Sequence, residues 1–145
     1  MTTTIAGAFA EAAAPAAAAA AVPTDHADWR IVTDADQPIT RQVILDEALP
    51  VELLLHRIEV REIRMRAGYA PGAHVHNGPV FGTIAAGHVL FRVDDRPERV
   101  LAPGDPFYEP AGVVIWHFDA LDEDVTFIAQ FPLQRGQDAE LTMID

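Results

Sequence analysis

The chain has 145 residues, of which 50% are hydrophobic, and its formal net charge is −12 at pH 7. This length suits one domain with a hydrophobic core, and the acidic charge disfavours nucleic acid and anionic membrane surfaces as partners. The absence of cysteine excludes disulfides, thiolate metal ligands and cysteine nucleophiles.

The N-terminal residues 1–23 form an alanine-rich, low-complexity tract that offers little to bury. A secretory signal would begin with a basic stretch, but the first nine residues contain no Lys or Arg, and Glu11 interrupts the apolar run. No apolar run approaches the roughly 20 residues of a membrane span. We therefore expect a flexible tail on a cytoplasmic protein.

Residues 24–145 are predicted to form one domain. Within residues 24–50, Trp29, Ile31 and the Val43-Ile44-Leu45 run are expected to cover the rest of the domain or a partner subunit. Those residues and the apolar Leu53-Leu54-Leu55 run exceed what one barrel face should bury, so we expect a homodimer.

Residues 51–131 carry the strand signal. Apolar and polar residues alternate in several short runs, and turn residues separate these runs every 8–12 positions or so. The alternation changes parity between Val60 and Ile63, which predicts a bulge near Arg61-Glu62. Many short strands with no long helical period indicate an all-β sandwich or barrel.

The most informative stretch is His74-Val75-His76. Residues two apart on a strand share a face, so both imidazoles would lie side by side and could form half of a metal site. The alternative is a pair of solvent-facing histidines. The surrounding glycines favour the first interpretation: Gly68 lies six residues before His74, and Gly87 closes the strand that follows.

These spacings resemble the first motif of the cupin superfamily, in which a glycine, an HxH pair, a glutamate and a second glycine recur at fixed intervals. Val80 occupies the glutamate position. Gly104, Pro110 and Gly112 resemble the second motif. The resemblance implies an all-β jelly-roll barrel, the cupin double-stranded β-helix, with a small-ligand pocket between its sheets.

In the second motif, Ile115 occupies the position where the family has a histidine, and His117 follows two residues later, about 6–7 Å further along a strand. A regular strand would turn both side chains to the interior. The ligand set that the resemblance implies is therefore His74, His76 and His117, with a two-histidine remnant as the alternative. Val80, Ile115 and Met65 are the candidate pocket residues.

Two functions follow from the resemblance. One is a metal-dependent enzyme acting on a small oxygenated organic substrate, either an oxidoreductase of dioxygenase type or an isomerase or cyclase. The stretch with His74, His76, Gly78 and Pro79 is similar to the first motif of three-histidine β-diketone-cleaving dioxygenases. Fe(II) is the favoured metal, with Zn, Ni and Mn as alternatives. The other function is non-catalytic binding of a small ligand in an apolar barrel, as a sensor or storage module.

Overall fold

The computed structural model describes residues 41–145, and these form an all-β domain of nine strands. The predicted alanine-rich tail at residues 1–23 and the predictions for Trp29 and Ile31 lie outside the described residues. The strands are β1 (Leu55–Met65), β2 (His74–His76), β3 (Val80–Ala86), β4 (Val89–Val93), β5 (Arg99–Leu101), β6 (Pro106–Glu109), β7 (Ile115–Ala120), β8 (Val125–Gln134) and β9 (Leu141–Met143).

The strands form two antiparallel sheets. One has the order β1-β8-β3-β6 and the other the order β5-β4-β7-β2-β9. The described residues contain no helix, and so none that is long and apolar enough to cross a membrane. The prediction of an all-β, two-sheet jelly-roll fold is confirmed.

The core lies between the sheets and follows from the alternation within each strand. In β8, Val125, Phe127, Ala129, Phe131 and Leu133 are buried, and the residues between them are more exposed. Phenylalanines from three strands meet there with ring centroids 4.8–5.9 Å apart: Phe107, Phe118 and Phe127. Such aromatic contacts each add about 0.5–1.5 kcal/mol to the effect of burial.

Strand β1 runs without the predicted bulge near Arg61-Glu62. Its pairing with β8 is continuous from Arg57 to Met65, and the register shift lies between Leu55 and Arg57 instead. The change in the alternation of apolar residues between Val60 and Ile63 has another cause. Ile63 and Met65 face the interior, but the apolar residues Ile58 and Val60 occupy the outer face.

The sheet also extends beyond the predicted barrel core of residues 51–131. The C-terminal residues include β9, which pairs with β2 so that His76 lies opposite Leu141 and His74 opposite Met143. Three residues are too few to show an alternating pattern, so the sequence does not predict β9.

Residues 41–54, the described part of the chain before β1, contain no strand. Ile44 and Leu45 are half-buried, whereas Val43 is exposed, so only part of the run that was expected to cover the domain is shielded from solvent. Glu47 in the same segment lies 3.3 Å from a guanidinium nitrogen of Arg96, in the β4–β5 turn.

Gly87 connects β3 to β4 and shows why glycine is needed at this hairpin. Its φ of +79° lies in the left-handed region that disfavours other residues. A Cβ here would also lie 2.5 Å from the carbonyl oxygen of Asp124. The hairpin therefore depends on glycine for both its conformation and its packing.

Candidate metal centre

Three buried side chains converge between the two sheets: His74, His76 and Glu109. One donor atom from each lies within 4.8 Å of the other two. Nitrogen and carboxylate oxygen are both common ligands of divalent transition metals. Three such donors at this spacing can coordinate a single ion.

Strand β2 places the two histidines. Residues 74 and 76 share one face of the strand and are buried, while Val75 between them is half-buried. The imidazole centroids lie 5.2 Å apart, with the ring planes at 87°. The side-by-side arrangement expected from the HxH spacing is therefore present.

A backbone hydrogen bond sets the orientation of the His74 ring. Its Nδ1 lies 2.8 Å from the carbonyl oxygen of Gly72. A carbonyl can only accept, so Nδ1 carries the proton and Nε2 keeps its lone pair for a ligand role. Second partners of this kind fix the ring orientation of metal-binding histidines. Gly72 has a φ of +93°, so the turn that presents this carbonyl uses a glycine conformation.

Glu109 supplies the carboxylate. It ends β6 and lies directly opposite Val80 in the pairing of β3 with β6. Side chains directly opposite each other on antiparallel strands have Cβ atoms about 4.5–5.5 Å apart. The carboxylate that the cupin motif would place at position 80 is therefore replaced by one from the neighbouring strand, at nearly the same place in the barrel.

The surroundings of Glu109 favour a bound cation. Its Oε2 lies 3.1 Å from Nε2 of His76, and the residue is 4% exposed. Among the described residues, no Arg or Lys forms an ion pair with it. A buried carboxylate without a compensating positive charge is costly, and a divalent ion shared with the two imidazoles would offset that cost.

The structure does not bring His117 into this cluster. The pairing of β4 with β7 shifts register, with Val93 opposite Ile115 and Arg92 opposite His117, so Trp116 is an extra residue in β7. This bulge reverses the alternation. Ile115 and Phe118 are buried, and His117 faces outward. The expectation that Ile115 and His117 share the interior face is wrong, because it assumed a regular strand.

On the outer face, His117 takes part in a different set of contacts. Its Nδ1 donates a hydrogen bond to Asp119 Oδ2 over 2.7 Å, and its Nε2 lies 3.6 Å from Glu98 Oε1. Each ring nitrogen therefore faces a different carboxylate.

A cavity of about 490 Å³ opens beside the cluster, and its wall includes all three donor residues. Of the predicted pocket residues, Val80 and Met65 line it. Ile115 is fully buried and is not among the lining residues. The other lining residues are mostly apolar, with polar ones at Arg64, Arg66 and Tyr69; the apolar ones include Ile63, Pro71, Phe107, Phe118, Phe127, Ala129, Phe131 and Leu141.

The cupin motif spacing does not point to Glu109. The sequence does carry a signal for it: Glu109 is the one charged residue in the run Pro106–Pro110, and it shares the parity of the core residue Phe107. The cupin motif has its carboxylate in β3, so its spacing gives no indication of the partner in β6.

No protein-family model matches the chain. No curated protein matches it in sequence. Solved structures do match. Oxalate oxidase in complex with the substrate analogue glycolate aligns with a TM-score of 0.52 at 16% identity, over 60% of this chain and 46% of that one. DMSP lyase DddQ from Ruegeria pomeroyi DSS-3 aligns with a TM-score of 0.51 at 22% identity, over 57% and 42%.

A cupin-like protein from Thermotoga maritima aligns with a TM-score of 0.51 at 26% identity, over 59% of this chain and 65% of that one. The aligned part spans less than half of the lyase and of the oxidase. Together with the two-sheet architecture, these likenesses show that the chain has the cupin fold, as its glycine and proline spacing predicted.

Proposed function

We propose that this protein is a metal-dependent cupin enzyme that acts on a small oxygenated organic molecule. The observation that carries the proposal is the convergence of His74, His76 and Glu109 on the wall of a cavity of about 490 Å³. An oxalate oxidase with the same fold binds the small oxygenated compound glycolate, and we propose a substrate of that general kind here.

Two imidazoles and one carboxylate would hold the ion. This donor set is typical of non-haem Fe(II) sites, so Fe(II) remains the favoured metal, with Mn, Zn and Ni as alternatives. Three protein donors leave coordination positions for a substrate, and the bound ion would supply a Lewis acid toward its oxygen atoms. An oxidation of dioxygenase type is the reaction we favour, with isomerisation or cyclisation as the alternatives.

The chain's own groups have distinct tasks in this proposal. The Gly72 carbonyl holds the His74 ring in place through its Nδ1 proton. Glu109 contributes a negative charge that lowers the net charge of the bound ion. The phenylalanines around the cavity exclude water and would pack against the carbon skeleton of the substrate.

The test is to exchange the two residues that face each other across β3 and β6. Purified wild-type protein should contain about one divalent ion per chain by elemental analysis. Glu109→Val should lower metal affinity by more than about 100-fold, beyond the 10–100-fold typical for loss of a supporting residue. The double variant Val80→Glu/Glu109→Val should regain most of the metal, since it returns a carboxylate to the opposite position.

The double variant also serves as the control for folding, because it retains the Glu109→Val change. Failure of Val80→Glu/Glu109→Val to bind metal, with a native circular dichroism spectrum, would contradict the assigned role of Glu109. Metal content near zero in the wild type after growth with added iron, manganese, zinc and nickel would contradict the enzyme proposal itself.

The second candidate is a non-catalytic cupin that binds a small ligand. The apolar lining of the cavity favours it, since four phenylalanines surround a space with few polar groups. Metal-free protein that binds apolar small molecules in calorimetry, with the same affinity in Glu109→Val, would support this candidate over the enzyme.

A further inference from the structure

Strand β1 forms the end of its sheet and is one of the two longest strands of the domain, with eleven residues. Among the strands of residues 41–145, only β8 pairs with it. The other edge of β1 therefore presents backbone N–H and C=O groups without strand partners in this part of the chain. Such an edge is a template for pairing with another strand.

The outer face of β1 is unusually apolar for an exposed edge. Ile58 is 61% exposed and Val60 is 60% exposed, and Leu54 just before the strand is 86% exposed. Isolated exposed apolar residues are common, but natural proteins usually protect long edge strands with charges, proline or bulges. Here three large aliphatic residues lie within seven positions.

The charges of β1 do not protect the edge, because they are neutralised within the strand. Glu59 forms ion pairs with both Arg57 and Arg61, and Arg64 with Glu62. The hydrogen bonds from Arg57 and Arg61 hold the pKa of the Glu59 carboxyl below its ordinary value, so this charge persists to acidic pH. The strand thus carries alternating opposite charges that an approaching copy could match.

We propose that two copies of this chain pair through β1, antiparallel, about a two-fold axis that passes through Val60. In such a pair the two sheets become one continuous sheet, and residues directly opposite each other point to the same face. A two-fold axis normal to the sheet must therefore pass through a residue that meets its own copy. Val60 is the midpoint of Leu55–Met65, so this register gives the longest ladder.

Charge complementarity is compatible with the same register, and ladder length distinguishes it from the alternatives. With Val60 at the axis, Glu59 of one copy lies opposite Arg61 of the other, and this favourable pair occurs twice. An axis at Glu59, Arg61 or Glu62 would place a charge directly opposite its own copy. An axis at Ile58 avoids that repulsion but shortens the ladder. The Val60 register also brings the two valine side chains into contact across the axis, which shields part of each from solvent.

The proposed interface adjoins the cavity. Ile63 and Met65 from the other face of β1 belong to the cavity wall, and Arg61 extends over the Phe131 ring with 4.6 Å between its Cζ atom and the ring centroid. Pairing would restrain the strand that forms this wall.

Cysteine cross-linking tests the pairing, since the natural chain contains no cysteine. In the full-length protein, Val60→Cys should form a covalent dimer on mild oxidation. Ile58→Cys should not, because the two copies of residue 58 would be about 13 Å apart in this register, too far for a disulfide. Val100→Cys is the matched control for random collision, because Val100 is also an exposed valine on an edge strand, in the other sheet.

Sedimentation measures the association itself. Wild-type protein should sediment as a dimer at micromolar concentration. Val60→Lys should weaken dimerisation by about tenfold or more, because it places two like charges at the axis and removes the contact between the two valines. Val100→Lys should leave the dimer unchanged, and the metal content of Val60→Lys should equal that of the wild type.

Two outcomes would overturn the proposal. The first is a monomeric wild type, which would mean that the β1 edge contacts solvent or residues 1–40 of the same chain instead of a second copy. The second is equal cross-linking of the cysteine variants at positions 58, 60 and 100, which would mean that the copies meet without the proposed register.

Discussion

One cluster of histidine and carboxylate groups lies between the two sheets and another lies on the outer face of the five-stranded sheet, and they differ in how their donors are arranged. In the inner cluster, His74, His76 and Glu109 are buried and direct their donor atoms to one place. In the outer cluster, the two carboxylates of Asp119 and Glu98 face different nitrogens of one His117 ring. The residue types are the same, but only the inner arrangement can surround an ion.

The difference shows how backbone geometry determines the role of a histidine. In the sequence, His76 and His117 look equivalent, because each lies on a strand next to a turn of a cupin-like motif. The bulge at Trp116 moves one of them to the outer face, where its Nδ1 donates a hydrogen bond to Asp119. Three substitution experiments test this difference and the packing of β6 beside it.

The first compares two single histidine variants. His76→Ala should remove nearly all bound metal, because a site with three protein donors loses one of them. His117→Ala should retain the wild-type metal content, because its ring lies outside the cluster. Elemental analysis of both proteins, purified in parallel after growth with added iron, measures the difference. Equal metal loss in the two variants would show that the outer cluster contributes to the ion.

The second compares two carboxylates by metal-induced stabilisation. An ion at 100 times its dissociation constant stabilises a folded protein by about 2.7 kcal/mol. Glu109→Gln should lose most of that gain, whereas Asp119→Asn should keep it. Thermal melting with and without added metal provides the measurement. The metal-free proteins are the control: Glu109→Gln should unfold no more easily than the wild type, because it replaces a buried charge that has no Arg or Lys partner among the described residues.

Much of the fold could be read from the sequence. Glycines such as Gly87 have positive φ at the hairpins, and alternating apolar residues such as Phe127 and Phe131 form the core. The HxH spacing predicted two neighbouring imidazoles because alternation is reliable within a short regular strand. These features depend on residues that are close in the sequence.

The rest depended on pairing between distant strands. Glu109 belongs to the cluster because β6 pairs with β3 in the register that places it opposite Val80, and residue spacing within either strand does not specify that register. His117 was misplaced because a single extra residue in β7 reverses every later side chain. Site prediction from motif spacing therefore failed where the carboxylate came from a different strand.

The third prediction concerns Tyr108, which precedes Glu109 and points to the opposite face of β6. Its ring stacks on Phe81 with the centroids 4.9 Å apart, and its buried hydroxyl has no hydrogen-bond partner among the described residues. Tyr108→Phe should therefore change the free energy of unfolding at pH 7 by less than about 1 kcal/mol, toward greater stability, because it removes a buried polar atom without breaking a hydrogen bond.

The dependence of the free energy of unfolding on alkaline pH provides a second test of the role of Tyr108. Burial raises the pKa of the Tyr108 hydroxyl above its ordinary value of 10.0. The folded protein therefore holds this proton more tightly than the unfolded chain, so the associated stability is full below about pH 10 and is lost as pH rises through the folded-state pKa. Tyr108→Phe should lose less stability than the wild type between pH 9 and pH 11 or so in urea unfolding. Tyr69→Phe is the matched control, since Tyr69 is exposed and should leave the curve unchanged. A Tyr108→Phe variant destabilised by more than about 1 kcal/mol at pH 7 would mean that the hydroxyl has a partner, with residues 1–40 or a water as the source.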